Sequence, residues 1–451
     1  MSKSNVLTGK LHLLCGASLL AIALAAPSAS ADEAKPADAK SAKETQVAQN
    51  ATPPSTPAPE AESAPVEKVT VTGFRRSLRS ALDQKKNSNA QIDVVKAEDV
   101  AKFPDLNLSE SLQRIPGVSI TRDAGEGRQI TVRGLGPQFT RIRINGMEAL
   151  STAGGTDAAG GTNRGRAFDF NVFAADLFST MTVRKTPSAE TEEGSLGATV
   201  DLRAARPFDF DGFTAAVSGA YGWNDLSESF DPRASGLVSW SDGTFGALFS
   251  IAYSDREMLE AGASTVRWQN DGSTRDAAGV ITGGAANARF QSESVAAYSL
   301  AEINNAFRPR IPRYDIYEHE QQRLGMTGSL QWRPAESTTV TLDAMYSKLE
   351  SGRNEIFLET PVFSTTGAAA IQDVDVLDAV IQGNSLVYGV FNDVDIRSEF
   401  RHDDLSTEYS QATLEIDHVF SDVFHVNLLG GYAESDHQNP VQTTLLFDAS
   451  N

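Results

Sequence analysis

The sequence predicts a compact α+β domain followed by a transmembrane antiparallel β-barrel. Three observations carry that prediction. From residue 212 onward, apolar residues alternate with small and polar ones at a period of two. Aromatic residues fall at the ends of those alternating runs. The connections between runs are short on one side and long on the other. The 451 residues carry 39 Lys+Arg against 59 Asp+Glu, a net charge of -20. That balance excludes a nucleic-acid binder, which needs a basic footprint to displace counterions. Beyond the first thirty or so residues no apolar run reaches the ~18 residues of a spanning helix, so a helical membrane protein is excluded. A barrel is not excluded, because each of its strands is only half apolar. The lone cysteine, Cys15, rules out a disulfide scaffold and any multi-cysteine metal cluster.

Residues 1–31 read as a secretory signal peptide. Lys3 and Lys10 supply the basic region, Leu11 to Ala26 the apolar stretch, and Ala29-Ser30-Ala31 the cleavage site. Cleavage there leaves a chain without cysteine, suited to an oxidising envelope. Residues 32–65 are rich in Ala, Pro, Lys, Glu, Ser and Thr and form no core, so they read as a disordered spacer. Residues 66–73 follow, with Glu67, Lys68, Val69, Thr70, Val71 and Thr72 making a β-prone peptide that Gly73 stops. On a flexible tether such a peptide can add itself to another protein's sheet edge. It can equally begin the sheet of the domain after it. Spacing alone leaves both readings open.

The first folded domain spans 74–206. Phe74 to Asp83 reads as a short basic helix and Ile92 to Val95 as a strand. Ala97 to Phe103 and Asn107 to Ile115 read as amphipathic helices separated by Pro104, and Pro116-Gly117 ends the second. Short strands follow at 118–120, 129–134 and 141–146, and Asn145-Gly146 marks a tight turn. Ser151 to Arg166 is a Gly/Thr/Asn-rich loop. Phe168 to Phe178 reads as a short helix, and strands are expected at 181–185 and 197–202. Gly134-Leu135-Gly136 and Gly194 to Gly197 have neither the Lys-Ser/Thr ending of a phosphate loop nor a dinucleotide fingerprint. Nucleophile-elbow and HExxH motifs are absent, and the histidines lack ligand spacing. No enzyme, metal site or cofactor is therefore expected.

Residues 207–451 carry the barrel pattern. Ala215, Val217, Tyr221 and Trp223 share one face, as do Phe245, Phe249, Ile251 and Tyr253. The pattern repeats at Leu324 to Trp332, Val340 to Tyr346, Ala412 to Phe420 and Val426 to Tyr432. The opposite faces are small and polar, as a wet lumen requires. Short turns fall at 241–243, 333–337 and 421–423, and long polar segments at roughly 255–318 and 352–404. The runs amount to about seven strands. A closed bacterial barrel needs an even number, so the count predicts the N-terminal part of a longer protein.

Several motifs in this order resemble a TonB-dependent outer-membrane receptor. They are Leu112 to Val118, Ile130 to Pro137, Ile144-Asn145-Gly146, Val183 to Glu190 and Gly194 to Leu202. The wording is most similar to the Caulobacter- and Xanthomonas-type subfamily, whose members often import oligosaccharides. The resemblance implies a 22-stranded barrel of which about the first seven strands are here, with residues 74–206 as a plug domain folded inside. It makes Glu67 to Thr72 the TonB box. The implied partners are TonB with its inner-membrane energising complex, outer-membrane lipid, and a ligand held above the plug. Two plug loops are implied to face that ligand, at Thr121 to Arg128 and Ser151 to Arg166. Their candidate contacts are Arg122, Asp123, Glu126, Arg128, Thr156, Asp157, Asn163, Arg164 and Arg166.

The implied function is active transport of an oligosaccharide across the outer membrane. Alternatives are uptake of an iron-siderophore, haem or cobalamin, and a surface binding or signalling receptor without transport. The stretch from Asp32 to Pro65 is too short for a signalling domain, and a barrel lipase lacks its nucleophile motif. Trp268, Tyr298, Tyr314 and Tyr317 lie in or near a long loop and are suited either to stacking on sugars or to packing the loop.

Overall fold

The computed structural model describes residues 72–96, 107–155, 165–189, 191–270, 274–282, 290–293, 297–361, 374–392 and 394–449. The signal peptide, the spacer, Glu67 to Val71 and the helix expected at 97–103 lie outside the described residues. The chain divides into Met1–Lys68 and Val69–Asn451, and the second unit holds everything described below.

The α+β domain opens with α1 (Thr72–Asn87). Thr72 and Gly73 are thus the first turn of a helix and not the end of a strand-forming peptide, which corrects the expected boundary. Strand β1 (Ile92–Lys96) follows, then α2 (Leu108–Gln113). Asn107 caps α2, its Oδ1 accepting from the Ser109 amide at 2.8 Å. Strands β2 (Val118–Asp123) and β3 (Glu126–Val132) form a hairpin. Strands β4 (Thr140–Ile144), β5 (Met147–Glu148), β6 (Phe178–Arg184) and β7 (Ala198–Ala204) complete a sheet of order β1-β6-β7-β4-β5, with β4 and β7 parallel. The helix expected over 168–178 is two single 3-10 turns, Phe170–Val172 and Ala175–Leu177. They bend the chain so that Phe168, Phe170, Phe173 and Phe178 all point into one core with Leu108, Leu112, Ile130 and Val200. Each such buried side chain contributes about 1.5–3 kcal/mol.

The second part is a seven-stranded antiparallel sheet. Its strands begin with β8 (Gly212–Asn224), β9 (Ser229–Ser241) and β10 (Phe245–Thr265). The first long loop carries β11 (Trp268–Gln269), β12 (Thr274–Arg275), β13 (Ile281–Thr282), β14 (Phe290–Glu293), α3 (Leu300–Asn305) and β15 (Arg308–Pro309). The wall resumes with β16 (Pro312–Ala335) and β17 (Thr338–Glu359). The second long loop carries β18 (Val374–Gln382) and β19 (Ser385–Asn392), and β20 (Ile396–Ser421) and β21 (Phe424–Ala449) end the wall. The wall order is β21-β20-β17-β16-β10-β9-β8. The two loops fold together: β14 pairs in parallel with β18, and Ile303, Val374, Val376 and Ala379 form a small separate core.

Face assignment follows the alternation. Phe213, Val217, Tyr221, Val238, Trp240, Phe249, Ile251, Leu330, Trp332 and Tyr432 stand exposed on the outer face. Ser239, Ser250, Thr327, Ser329, Thr341, Ser347 and Thr413 are buried on the inner face. Lipid outside and polar atoms inside set this parity, and a one-residue slip would invert it. Aromatics gather at both ends of the outer band: Trp240, Phe245 and Trp332 at the turn end, Tyr221, Trp223 and Tyr253 at the other.

Two expectations are corrected. The strands reach well into the segments read as loops, so the long connections shrink to 266–311 and 360–395. The first connection on that side, 225–228, is short and breaks the expected alternation in length. The alternation also does not single out β9, where Pro232, Ala234 and Gly236 weaken the outer face and Leu237 stands on the inner one.

Phe249 sits at the middle of the outer band. Phe249→Arg should cost about 2–4 kcal/mol of folding in a bilayer, and Phe249→Leu far less. Urea titration in lipid vesicles, read by heat-modifiable migration, checks this; equal midpoints for the two variants would contradict the outer-face assignment.

Candidate functional site: the hairpin and the wall it meets

The β2–β3 hairpin turns at Ala124 and Gly125, both at positive φ (49° and 66°). Gly125 is required there twice over. It adopts a left-handed backbone, and a Cβ would lie 2.2 Å from Met258 Sδ on the wall. Arg256 Nη1 donates to the Ala124 carbonyl at 3.0 Å, pinning the tip to β10.

Behind the tip is a desolvated charge cluster. Glu126 accepts from Arg323 Nη2 at 2.7 Å and lies 3.4 Å from Arg256 Nη1. Arg323 Nε also donates to the Asn171 carbonyl at 2.6 Å, so one wall arginine grips both the hairpin and the first 3-10 turn. Burial by itself would raise the Glu126 carboxyl. The Arg323 and Arg256 guanidiniums and the Asn107 amide outweigh it and hold the carboxyl below its usual range. Arg128 is tied within the domain: its Nε donates to Asp169 at 3.1 Å, its Nη2 donates to the Ala153 carbonyl at 3.1 Å, and Asp123 lies 3.8 Å away. Arg233 Nε on β9 donates to Asp176 at 2.9 Å.

A second anchor lies at the opposite end. Arg206, in the link between the two parts, donates to Asp343 at 2.7 Å and pairs with Glu415 at 2.8 Å. Burial alone would lower that guanidinium; the two wall carboxylates overcome it and raise it above its ordinary value. Between the anchors the wall donates to main-chain carbonyls. Ser347 reaches Val172, Thr407 reaches Thr152, and Gln411 reaches Ile144, each at 2.8 Å. Tyr409 meets Phe173 edge-on at 5.0 Å between centroids.

The sequence-derived site residues therefore separate. Arg122 is half-exposed and pairs with Glu110 at 2.5 Å. Arg166 is exposed, 3.8 Å from Glu148. Glu126 and Arg128 are buried in ion pairs and Asp123 is half-buried beside Arg128, and these contacts fasten the hairpin. Thr156, Asp157, Asn163 and Arg164 lie outside the described residues. Of the TonB-box residues only Thr72 is described, and it is helical. Sequence reading missed Arg233, Arg256, Arg323, Asp343 and Glu415 as partners. The available cue was a lone charge at an inward position of a wall strand, as at Arg323 and Asp343.

Residues 84–199 match the TonB-dependent Receptor Plug Domain. The hairpin, the 3-10 turns and most of the sheet described above fall within that span. That match, with the relatives it brings, supports a TonB-dependent receptor. The chain is 30% identical over 125 residues to the ferric enterobactin receptor PirA of Pseudomonas aeruginosa, covering 26% of this chain and 17% of that one. It is 28% identical over 118 residues to a probable TonB-dependent siderophore receptor PirA of Acinetobacter baumannii, covering 25% and 16%. The match thus spans about a sixth of these relatives' length. Among solved structures, the siderophore receptor PirA from Acinetobacter baumannii aligns at 15% identity and TM-score 0.31, covering 78% of this chain and 62% of that chain. The unliganded ferric citrate transporter FecA aligns at 11% identity and TM-score 0.30, covering 82% and 60%.

Removing the carboxylate leaves two wall arginines facing the plug unpaired. Glu126→Ala should cost about 3–5 kcal/mol and open the hairpin to protease. A hairpin as resistant to protease as in the wild type would contradict the anchoring role. The pH dependence has a definite sign. The folded carboxyl titrates below its unfolded value of about 4.3, so its stabilisation is complete above that and is lost as pH falls through the folded value. Wild-type hairpin protection should therefore decline in acid below about pH 4.3, and Glu126→Ala should show a smaller decline. Parallel acid profiles for the two proteins would count against the carboxylate.

Proposed function

We propose that this protein takes part in TonB-dependent active transport of a specific ligand across the outer membrane. The ligand binds above the plug and is released when TonB pulls on the N-terminal box. The supporting observation is how the plug is held. A handful of buried ion pairs and hydrogen bonds to plug carbonyls join it to an otherwise small and polar inner wall. Such directional contacts hold firmly in one position, yet contribute modest net stability because each carries a desolvation cost. A pull delivered through the main chain can break them one after another.

The box, Glu67 to Thr72, runs into the first residue of α1, so tension on it is delivered to the start of the plug. An added strand in TonB's sheet would carry that tension through main-chain hydrogen bonds. The signal-peptide pattern of residues 1–31 suits export, and the lipid-facing outer band of the strands suits the outer membrane, with TonB and its inner-membrane energising complex as partners.

For the ligand, the first reading is an oligosaccharide, supported by the subfamily wording of the plug motifs. The second is a ferric siderophore, supported by the printed names of the plug's relatives.

Val69→Pro and Val71→Pro each remove a main-chain donor and restrict the strand. Both should abolish energised uptake while leaving ligand binding at the cell surface intact. Undiminished uptake by both variants in cells with working TonB would refute the coupling role.

A further inference from the structure

Helix α1 is packed the wrong way round for an amphipathic helix. Its small residues Ser77, Ser80 and Ala81 are half-buried, while Leu78 and Leu82 stand 51% and 57% exposed. The two leucines are four residues apart, so they share one line of the helix. What holds α1 to the plug sheet is polar. Lys96 Nζ on β1 donates to Ser80 Oγ at 2.6 Å, and Lys85 pairs with Asp93 at 2.5 Å. Among the described residues, none of α1 belongs to the apolar core of the plug. A helix ordinarily buries its apolar line, so two neighbouring exposed leucines mark an interaction surface.

The chain itself offers no cover for them. The described inner wall is mostly small and polar, with little apolar area to give. The spacer from Asp32 to Pro65 has Val47 as its one large apolar residue. A second copy of the helix is opposed by charge. The sequence of α1 has five basic residues against one acidic, in a chain whose net charge is -20, so two such helices would repel. Arg79 and Lys86 are exposed beside the leucine line, and they call for carboxylates across the interface.

Position points to the occupant. Thr72 is both the last residue of the box and the first of α1. Leu78 lies six residues on, about 9 Å along the helix. A protein that takes the box as an added strand therefore has this line within reach of the same surface.

We propose that the Leu78–Leu82 line of α1 is a second docking surface for the protein that takes the box, seated in an apolar groove with an acidic rim. The proposal deepens the coupling reading above and rests on it. A strand peptide on a tether binds weakly, because ordering it costs entropy. A helix joined to it adds a second point of attachment at high effective concentration. The two points also divide the work. The box carries the pull through its main chain, and the helix selects the partner through its side chains.

The test is binding of the purified full-length protein to the purified periplasmic domain of TonB from the same cell, beside vesicles of anionic phospholipid. Leu78→Gln/Leu82→Gln removes the apolar line at little cost in helix propensity, and Leu78→Met/Leu82→Met keeps it. Leu150→Gln changes an exposed leucine elsewhere in the plug. The glutamine pair should bind TonB about tenfold more weakly or worse, with the methionine pair and Leu150→Gln close to wild type. Arg79→Gln/Lys86→Gln should weaken binding and flatten its dependence on salt. Unchanged affinity in the glutamine pair overturns the proposal, as does equal loss in the glutamine and methionine pairs. Vesicle binding that the glutamine pair abolishes while TonB binding persists also overturns it, and gives the surface to lipid. The box variants keep the two readings apart. If Val69→Pro/Val71→Pro stops uptake while the glutamine pair binds TonB as wild type does, the docking surface fails and the coupling reading stands. If the glutamine pair loses TonB binding but the proline pair imports normally, the coupling reading fails and the docking surface stands.

Discussion

Every feature of this protein depends on which way alternate residues of seven strands point. A strand with lipid on one side and a wet interior on the other has a single workable register, because a one-residue slip puts serine into hydrocarbon and phenylalanine into water. Pairs such as Phe249 with Gly328 and Leu330 with Leu342 show that register carried from strand to strand through the outer band, with shifts at Trp332/Ala335, Asp404/Ser406 and Val419/Ser421. Small inward residues then leave room for the plug to come close. A Cβ on Gly325 would lie 2.4 Å from Leu177 Cδ1, and one on Gly431 would lie 2.5 Å from Met147 Sδ.

The same parity decides how the plug is held. An inner wall of Ser, Thr and Gln offers little apolar area, so hydrophobic burial stays mostly within the plug's own core. What remains is electrostatic and directional. The two anchors have opposite polarity: wall arginines hold a plug carboxylate at the hairpin, and wall carboxylates hold Arg206 at the link. A plug held this way sits in one position without being welded there.

Much of this was legible in the sequence, because period-two alternation is a local property. The faces of β8, β10, β16, β17, β20 and β21 read correctly from residue order alone. Strand β9 did not, since Pro232, Ala234 and Gly236 thin its apolar side and Leu237 sits on the opposite one. The upper parts of β10 and β16 also escaped, because above the membrane charged residues enter both faces and weaken the apolar alternation. The site was read least well. Glu126 and Arg128 sit beside a glycine turn and look like an exposed charged loop. Their burial depends on Arg323 and Asp169, which lie far away in sequence and which no local pattern connects to them. The folding together of the two long loops is non-local in the same way.

The most direct measurement of the central claim is quenching by bilayer lipids brominated on their acyl chains. Single cysteines would be placed at Val217 and Leu330 on the outer face and at Ser250 and Ser347 on the inner, each carrying a small fluorophore. The account predicts strong quenching at Val217 and Leu330 and almost none at Ser250 and Ser347. Equal quenching at both sets, or quenching at the serine positions alone, would contradict it.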